Sequence, residues 1–270
     1  MSEALLAHEP LVRLAAFLGV LAGMAAWELA APRRRPRFGR ARRWLANLGL
    51  SALDTALVRL LSPAAAVGAA ALGAERGWGL FQQGAVPQPL AFFASLLLLD
   101  LAVYLQHVVL HAVPALWRLH LVHHSDQDFD VTTGLRFHPL EILLSLFWKM
   151  AVVLALGAPV AAVLAFEVLL NATSLFNHGN VRIPRRLDRA LRLVLVTPDM
   201  HRVHHSALPR ETNSNYGFNL PWWDRLLGTY REAPEAGHEA MTIGLAQIQP
   251  ASPPGLGELL ALPFRPTAGT

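Results

Sequence analysis

The chain has 270 residues, of which 53% are hydrophobic and 16% charged, against about a quarter charged in a soluble domain. The apolar residues come in long runs, so the composition points to a membrane-embedded protein. There is no cysteine, which excludes disulfides, iron–sulfur clusters and thiolate-held zinc or haem. The formal net charge of +4 comes from arginine, with Lys149 the only lysine. The arginines flank the apolar runs, so lipid head groups and membrane topology account for them better than nucleic acid does.

Five stretches are long and apolar enough to cross a bilayer, which takes about 20 residues as a helix. The first is Leu11–Ala31, with Trp27 and Glu28 near one end. It is too long for a signal-peptide core and no A-x-A-like site follows, so it reads as a retained helix. The second lies within Leu45–Gly73. Asp54, Arg59 and Pro63 interrupt it, which suits a partly interfacial helix. The third is Pro89–Val113. The fourth and fifth, Leu140–Leu156 and Val160–Asn177, are split by Gly157-Ala158-Pro159, a sequence suited to a tight helical hairpin. The remainder, Asn180–Thr270, is more polar and reads as a cap, ending in a Pro/Gly-rich tail at 251–270 expected to be disordered. The whole, 1–270, reads as one all-α, polytopic membrane-embedded domain.

Arg33, Arg34, Arg35, Arg37, Arg40, Arg42 and Arg43 follow the first stretch with no acid among them. The positive-inside rule makes that loop cytoplasmic. Alternation then places Glu75–Gln88 outside and Ala112–His138 inside, and the hairpin returns the chain inside at His178. There it meets a second basic run of Arg182, Arg185, Arg186, Arg189 and Arg192. This scheme puts the N-terminus outside, most naturally at a bacterial inner membrane.

The same scheme gathers ten of the twelve histidines on the cytoplasmic side. They fall into a grammar: His107-x3-His111, His120-x2-His123-His124, the singles His138 and His178, and His201-x2-His204-His205. Residues three and four apart share a helix face, so each H-x-x-H-H can offer two or three imidazoles to one site. Ten nitrogen ligands exceed what one ion can use and suit two. Isolated histidines are usually ordinary side chains, and His8 and His238 read that way. His138 stands in His-Pro-Leu-Glu, where Glu141 could accept its second N–H, as a ligating imidazole requires. Asp100 lies on the His107 face. Asn171 falls with Glu167 and His178 on one stripe of the fifth stretch, and Asn177 and Asp199 adjoin histidine motifs. Asp100, Glu141, Asn171, Asn177 and Asp199 are therefore the candidates for supporting the ligands. All-nitrogen ligation with open positions suits iron and O₂ chemistry.

These residues resemble the fatty acid hydroxylase and sterol desaturase superfamily of integral-membrane dimetal oxygenases. The resemblance covers roughly 97–231. It rests on Leu119-His120-x-x-His123-His124-Ser125, Arg136-Phe-His138-Pro-x-Glu141, Phe176-Asn177-His178-Gly-Asn180 and Thr197-Pro-Asp-Met-His201-Arg-Val-His204-His205-Ser206. Asn215-Tyr-Gly217 and Trp223-Asp224-Arg225-x-x-Gly228-Thr229-Tyr230 complete it. It implies two iron ions, with zinc able to take their place in recombinant protein. It also implies O₂ as co-substrate and hydroxylation or desaturation of a fatty acyl, sterol or related membrane lipid. No cytochrome b5-like domain is recognisable, so a separate ferredoxin or cytochrome is expected to supply electrons, and no nucleic-acid partner is expected. An ether-lipid monooxygenase is the near alternative, and a zinc-dependent membrane hydrolase the distant one. A metal transporter is disfavoured because transporters place ligands at mid-membrane.

Overall fold

A computed structural model describes residues 2–62, 64–84 and 86–266, with side chains from residue 8 onward. Among the described residues the chain is helical, with isolated bridges and no strand. The helices that build the membrane part are α1 (Ser2–Ala30), α2 (Arg40–Leu61), α3 (Ala65–Arg76) and α4 (Gln88–Ala112). A turn at Val113 leads into α5 (Pro114–His124), and α6 (Pro139–Leu156) and α7 (Val160–Asn177) form the hairpin. The cap carries α8 (Arg185–Leu191), α9 (Pro198–His204) and α10 (Leu256–Ala261). Five helical stretches are long and apolar enough to cross a membrane, and the protein is an integral membrane protein.

Proline and glycine punctuate this layout. Pro114 and Pro139 open α5 and α6, where the missing N–H costs nothing because that group has no intrahelical partner. Gly157 closes α6 in the left-handed region at φ 63°. A Cβ there would fall 2.5 Å from the Trp78 carbonyl oxygen, so glycine alone lets the hairpin turn meet the loop after α3. Small residues of α3 (Ala66, Ala69, Ala70) pack against Leu99 of α4, Val153 of α6 and Phe166 of α7. Within a bilayer, side chains of this size let helix backbones approach closely. Outward-facing Phe93, Leu105, Leu144, Phe147 and Leu169 remain exposed, as lipid-facing positions should.

Three expectations change. The second stretch is two helices, broken between Leu61 and Ala65; Pro63 lies outside the described residues. The start of α2, ahead of that stretch, also reaches into the cap. Arg43, 1% exposed, clamps Asp126 through Nε and Nη2, each at 2.8 Å, and reaches Asp130 through Nη1 at 2.7 Å. Burial acts to raise the Asp126 carboxyl, but Arg43 and Arg136 beside it outweigh that and hold it at about 2. Arg43 is thus an internal strut, not a head-group contact. Arg33 likewise pairs with Asp199 and Glu239, so part of the basic run is consumed inside the fold.

The third change is at the C-terminus, where the segment expected to be disordered contains α10. Leu259 and Leu262 bury themselves against Ala46 and Leu50 of α2 and Leu121 and Val122 of α5. Arg118 donates to the Pro263 carbonyl at 2.7 Å. Apolar positions hidden among prolines and glycines found a groove that local composition does not reveal. Residues 267–270 lie outside the described part.

Candidate metal centre

The histidines arrive from four helix ends. His107 and His111 sit one turn apart at the end of α4, and His120, His123 and His124 close α5. His178 caps α7, and His201, His204 and His205 occupy α9 and its cap. Nine of the ten motif histidines meet in two groups. One holds His107, His111, His120, His124 and His204; the other holds His123, His178, His201 and His205. Within each group one ligand nitrogen per residue lies within 4.8 Å of all the others.

The division follows helix geometry. In each H-x-x-H-H the second and third histidines flank the first on either side, about 100° apart around the helix, so they part to different groups. His120 and His124 accordingly serve the first group and His123 the second. In the later motif the assignment reverses: His201 and His205 serve the second group and His204 the first. The motifs interlock across both groups, rather than each filling one site.

The hydrogen bonds orient the rings. His107 Nδ1 donates to the Tyr216 carbonyl at 2.7 Å, and His120 Nδ1 to Glu141 Oε1 at 2.7 Å. His178 Nδ1 donates to the Ser174 carbonyl at 2.7 Å, and His204 Nδ1 to the Ser214 carbonyl at 2.8 Å. A neutral imidazole has one N–H, so each of these four presents a bare Nε2 lone pair. Burial holds the His178 imidazolium pKa down at about 4. Burial likewise pushes His123, His124, His201, His204 and His205 well below the usual range. These six rings are therefore neutral at pH 7.

This arrangement passes the test of fit for metal ions. His107 Nε2 lies 3.1 Å from His120 Nε2, so two bare lone pairs face each other. His178 Nε2 lies 3.1 Å from both His123 Nε2 and His201 Nε2. Nε2 of His111 and His204, and both ring nitrogens of His124 and His205, are buried without a partner. Unmatched buried nitrogens are costly, and a cation in each group would satisfy one ligand nitrogen of every ring in it. The donors are all imidazole nitrogen, the set that suits iron or zinc and not magnesium or calcium.

Aromatic side chains pack against the rings. Phe137 stacks on His123 with centroids 4.4 Å apart, and Phe218 and Tyr216 lean on His107. A Cβ at Gly134 would fall 3.1 Å from His178 Nδ1 and 2.8 Å from the Ser174 carbonyl oxygen, so that position keeps the turn Val131–Leu135 against the site. A cavity of ≈ 380 Å³ among the membrane helices has His107, His120 and Glu141 on its wall, together with Leu110, Phe137 and Ile142.

The remaining expected site residues fall elsewhere. His138 joins neither group. It caps α6 by accepting the Leu140 N–H at 3.2 Å on Nδ1, and its Nε2 donates to the Leu260 carbonyl at 3.2 Å. Both nitrogens are thus engaged by backbone, which leaves none for a metal. Glu141 does support a ligand, but that ligand is His120 and not His138. Asp100 touches no histidine; it accepts from Asn219 Nδ2 and Trp223 Nε1, each at 2.8 Å, and so holds down the loop that carries Tyr216 and Phe218. Asn171 bonds its own helix at Glu167. Asn177 donates to the Phe218 carbonyl. Asp199 pairs with Arg33 and Arg202.

The supports that spacing missed are the carbonyls of Ser174, Ser214 and Tyr216 and the side chain of Asn213, three of the four in the loop 213–216. Asn215 adopts φ 53°, and its side chain bonds the carbonyls of Met200 and Arg231 at 2.9 and 2.8 Å. Asp224 accepts from the N–H groups of Tyr216 and Gly217. The only sequence signal for this loop was its Asn-Tyr-Gly motif.

The family model described as fatty acid hydroxylase matches residues 92–229. The chain is 33% identical over 182 residues to an ornithine lipid hydroxylase of Rhizobium tropici, covering 64% of this chain and 54% of that protein. It is 30% identical over 162 residues to human alkylglycerol monooxygenase, covering 58% and 33%. It is 29% identical over 140 residues to human cholesterol 25-hydroxylase, covering 51% and 50%. The aligned part is thus about half the length of these relatives or less. No solved structure matches the chain.

Proposed function

The chain belongs to the fatty acid hydroxylase family, and from that premise we propose that its histidine groups hold two iron ions and that it hydroxylates a membrane lipid using O₂. At the coarser level it is an oxidoreductase acting on lipid. The observation that carries the finer reading is the convergence of bare Nε2 atoms in two groups stitched together by interlocking motifs. The overall change would be C–H plus O₂, two electrons and two protons to C–OH plus water. An iron pair, when bound, supplies the oxidant that an unactivated C–H bond needs and no side chain can provide.

The chain's own part is to orient and to exclude water. The Nδ1 hydrogen bonds fix each ring so that Nε2 points inward, and the Glu141 carboxylate makes His120 a more basic ligand. Phe137, Tyr216 and Phe218 keep solvent from the rings. Because His107 and His120 also line the cavity, a lipid lying in it reaches the first histidine group without leaving the membrane. The arginine pattern supports a cytoplasmic site at a bacterial inner membrane, with a ferredoxin or cytochrome delivering electrons at the cap.

The test joins metal analysis to lipid analysis. Protein from iron-replete cells should carry about two metal ions per chain. Cells grown under ¹⁸O₂ with and without the gene should differ by one lipid class carrying a single ¹⁸O atom. One ion or fewer per chain with intact histidines overturns the dimetal reading. A lipid that loses two hydrogens and gains no oxygen makes the reaction a desaturation.

A further inference from the structure

Asp54 lies on α2 within the second apolar stretch, is 7% exposed, and lines the cavity that reaches His107 and His120. Its Oδ1 is buried with no hydrogen-bond partner, and among the described residues no cation pairs with the carboxylate. On the same wall Glu141 uses Oε1 for His120 and leaves Oε2 buried without a partner. Charged groups inside membrane spans are costly and mark a partner or a path.

The three cavity cations are already committed, Arg59 of α2 having a partner of its own. Lys149 and Arg13 both pair with Glu167, and Arg13 also with Glu9. Lys149 lies eight residues beyond Glu141 on α6, about 12 Å along the axis. The cavity thus has an internally neutralised end and, beside the histidines, two buried carboxylate oxygens, Asp54 Oδ1 and Glu141 Oε2, with no hydrogen-bond partner. Leu146 and Val103 also line it. A wholly apolar substrate would leave Asp54 and Glu141 Oε2 desolvated and unmatched, which is unfavourable.

We propose that this cavity takes the head-group end of an ammonium-bearing lipid, and that Asp54 is the residue that selects it. The ammonium supplies the missing donors, and Asp54 meets it beside the first histidine group, within the cavity of a lipid oxygenase on whose assignment this inference rests. A sterol or a plain acyl chain lacks the complementary group.

Binding tests this without metal or O₂. The full-length, metal-free protein is placed in phosphatidylcholine nanodiscs and titrated with dodecylamine and with N-dodecylacetamide, which has the same chain and no charge. Empty nanodiscs provide the partitioning blank. The expected preference for dodecylamine is on the order of tenfold, the scale of one charged hydrogen bond. Asp54→Asn should bring the two probes to within a factor of about two. Equal binding by the parent protein, or an unchanged preference in Asp54→Asn, overturns the proposal. Should Asp54→Asn not fold, Ile142→Trp fills the cavity from an apolar position. It must abolish the dodecylamine preference, and retention places that binding elsewhere and overturns the proposal. Failure here leaves the metal and ¹⁸O₂ results standing, and failure of those leaves this binding result standing.

Discussion

The two histidine groups differ in enclosure although they share their motifs. The first joins α4, α5 and α9, includes the partly exposed His111, and has two members on the cavity wall. The second joins α5, α7 and α9 and is fully buried, and none of its four histidines lines that cavity. Each group ties three helices together, but only the first borders the cavity. Equal ligand chemistry can therefore carry unequal duties, set by what lies on the far side of each ring.

The largest expected effect comes from the ligands themselves. Alanine at His107 or His120 in the first group, or at His178 or His201 in the second, should lower turnover by more than about 100-fold, since changes behind a ligand already cost about 10–100-fold. Metal per chain should fall in each. The comparison sharpens in the thermal midpoint, which should drop further for His178→Ala than for His107→Ala, because the first leaves a void in a fully enclosed group while His107 already borders a cavity. Equal midpoints with equal metal loss would erase the distinction between the groups.

The cap is expected to depend heavily on its internal ion pairs. Arg43→Met leaves Asp126 and Asp130 buried without their cation, which should cost about 3–5 kcal/mol. Chemical unfolding of the purified protein measures it. A loss under about 1 kcal/mol would mean that Arg43 faces solvent or lipid after all.

Glu141→Ala tests the first group alone. It removes the acceptor behind His120 and should lower turnover about 10–100-fold, with Glu141→Gln closer to the parent because its carbonyl still accepts. Iron should remain near the parent level in both, as read by metal analysis. A Glu141→Ala protein at full activity would show that His120 needs no orienting partner.

The smallest effect is expected at His138. His138→Ala removes a helix cap and a bond to α10, worth about 1 kcal/mol, and should leave metal content and specific activity unchanged. Loss of an ion in this variant would restore His138 to the ligand set and break the two-group description.

Spacing made much of this legible. The i, i+3, i+4 pattern marked the histidines that gather, because helix periodicity carries local sequence directly into a shared face. It failed at His138, whose Pro-x-Glu context promised a ligand and its support. Glu141 turned instead to His120 on another helix, and sequence distance does not show which imidazole a carboxylate meets. Asp100 was read from its helix face as support for His107. It acts one step further out, through the loop holding Tyr216. The tail failed for a related reason: Leu259 and Leu262 look unremarkable until α2 and α5 form the groove that buries them.

By itself the sequence determined the apolar run lengths, the absence of sulfur ligands and the clustering of imidazole on a few helix ends. All three are local properties, written in composition and in the helical repeat. Only the tertiary structure decided how nine histidines divide into two groups. It alone showed which carbonyls of Ser174, Ser214 and Tyr216 set the tautomers. It also turned Arg43 inward and left Asp54 facing a cavity without a partner. Those outcomes depend on the packing of helices far apart in the chain. A donor's or acceptor's partner is chosen by proximity after folding, and no local pattern encodes it.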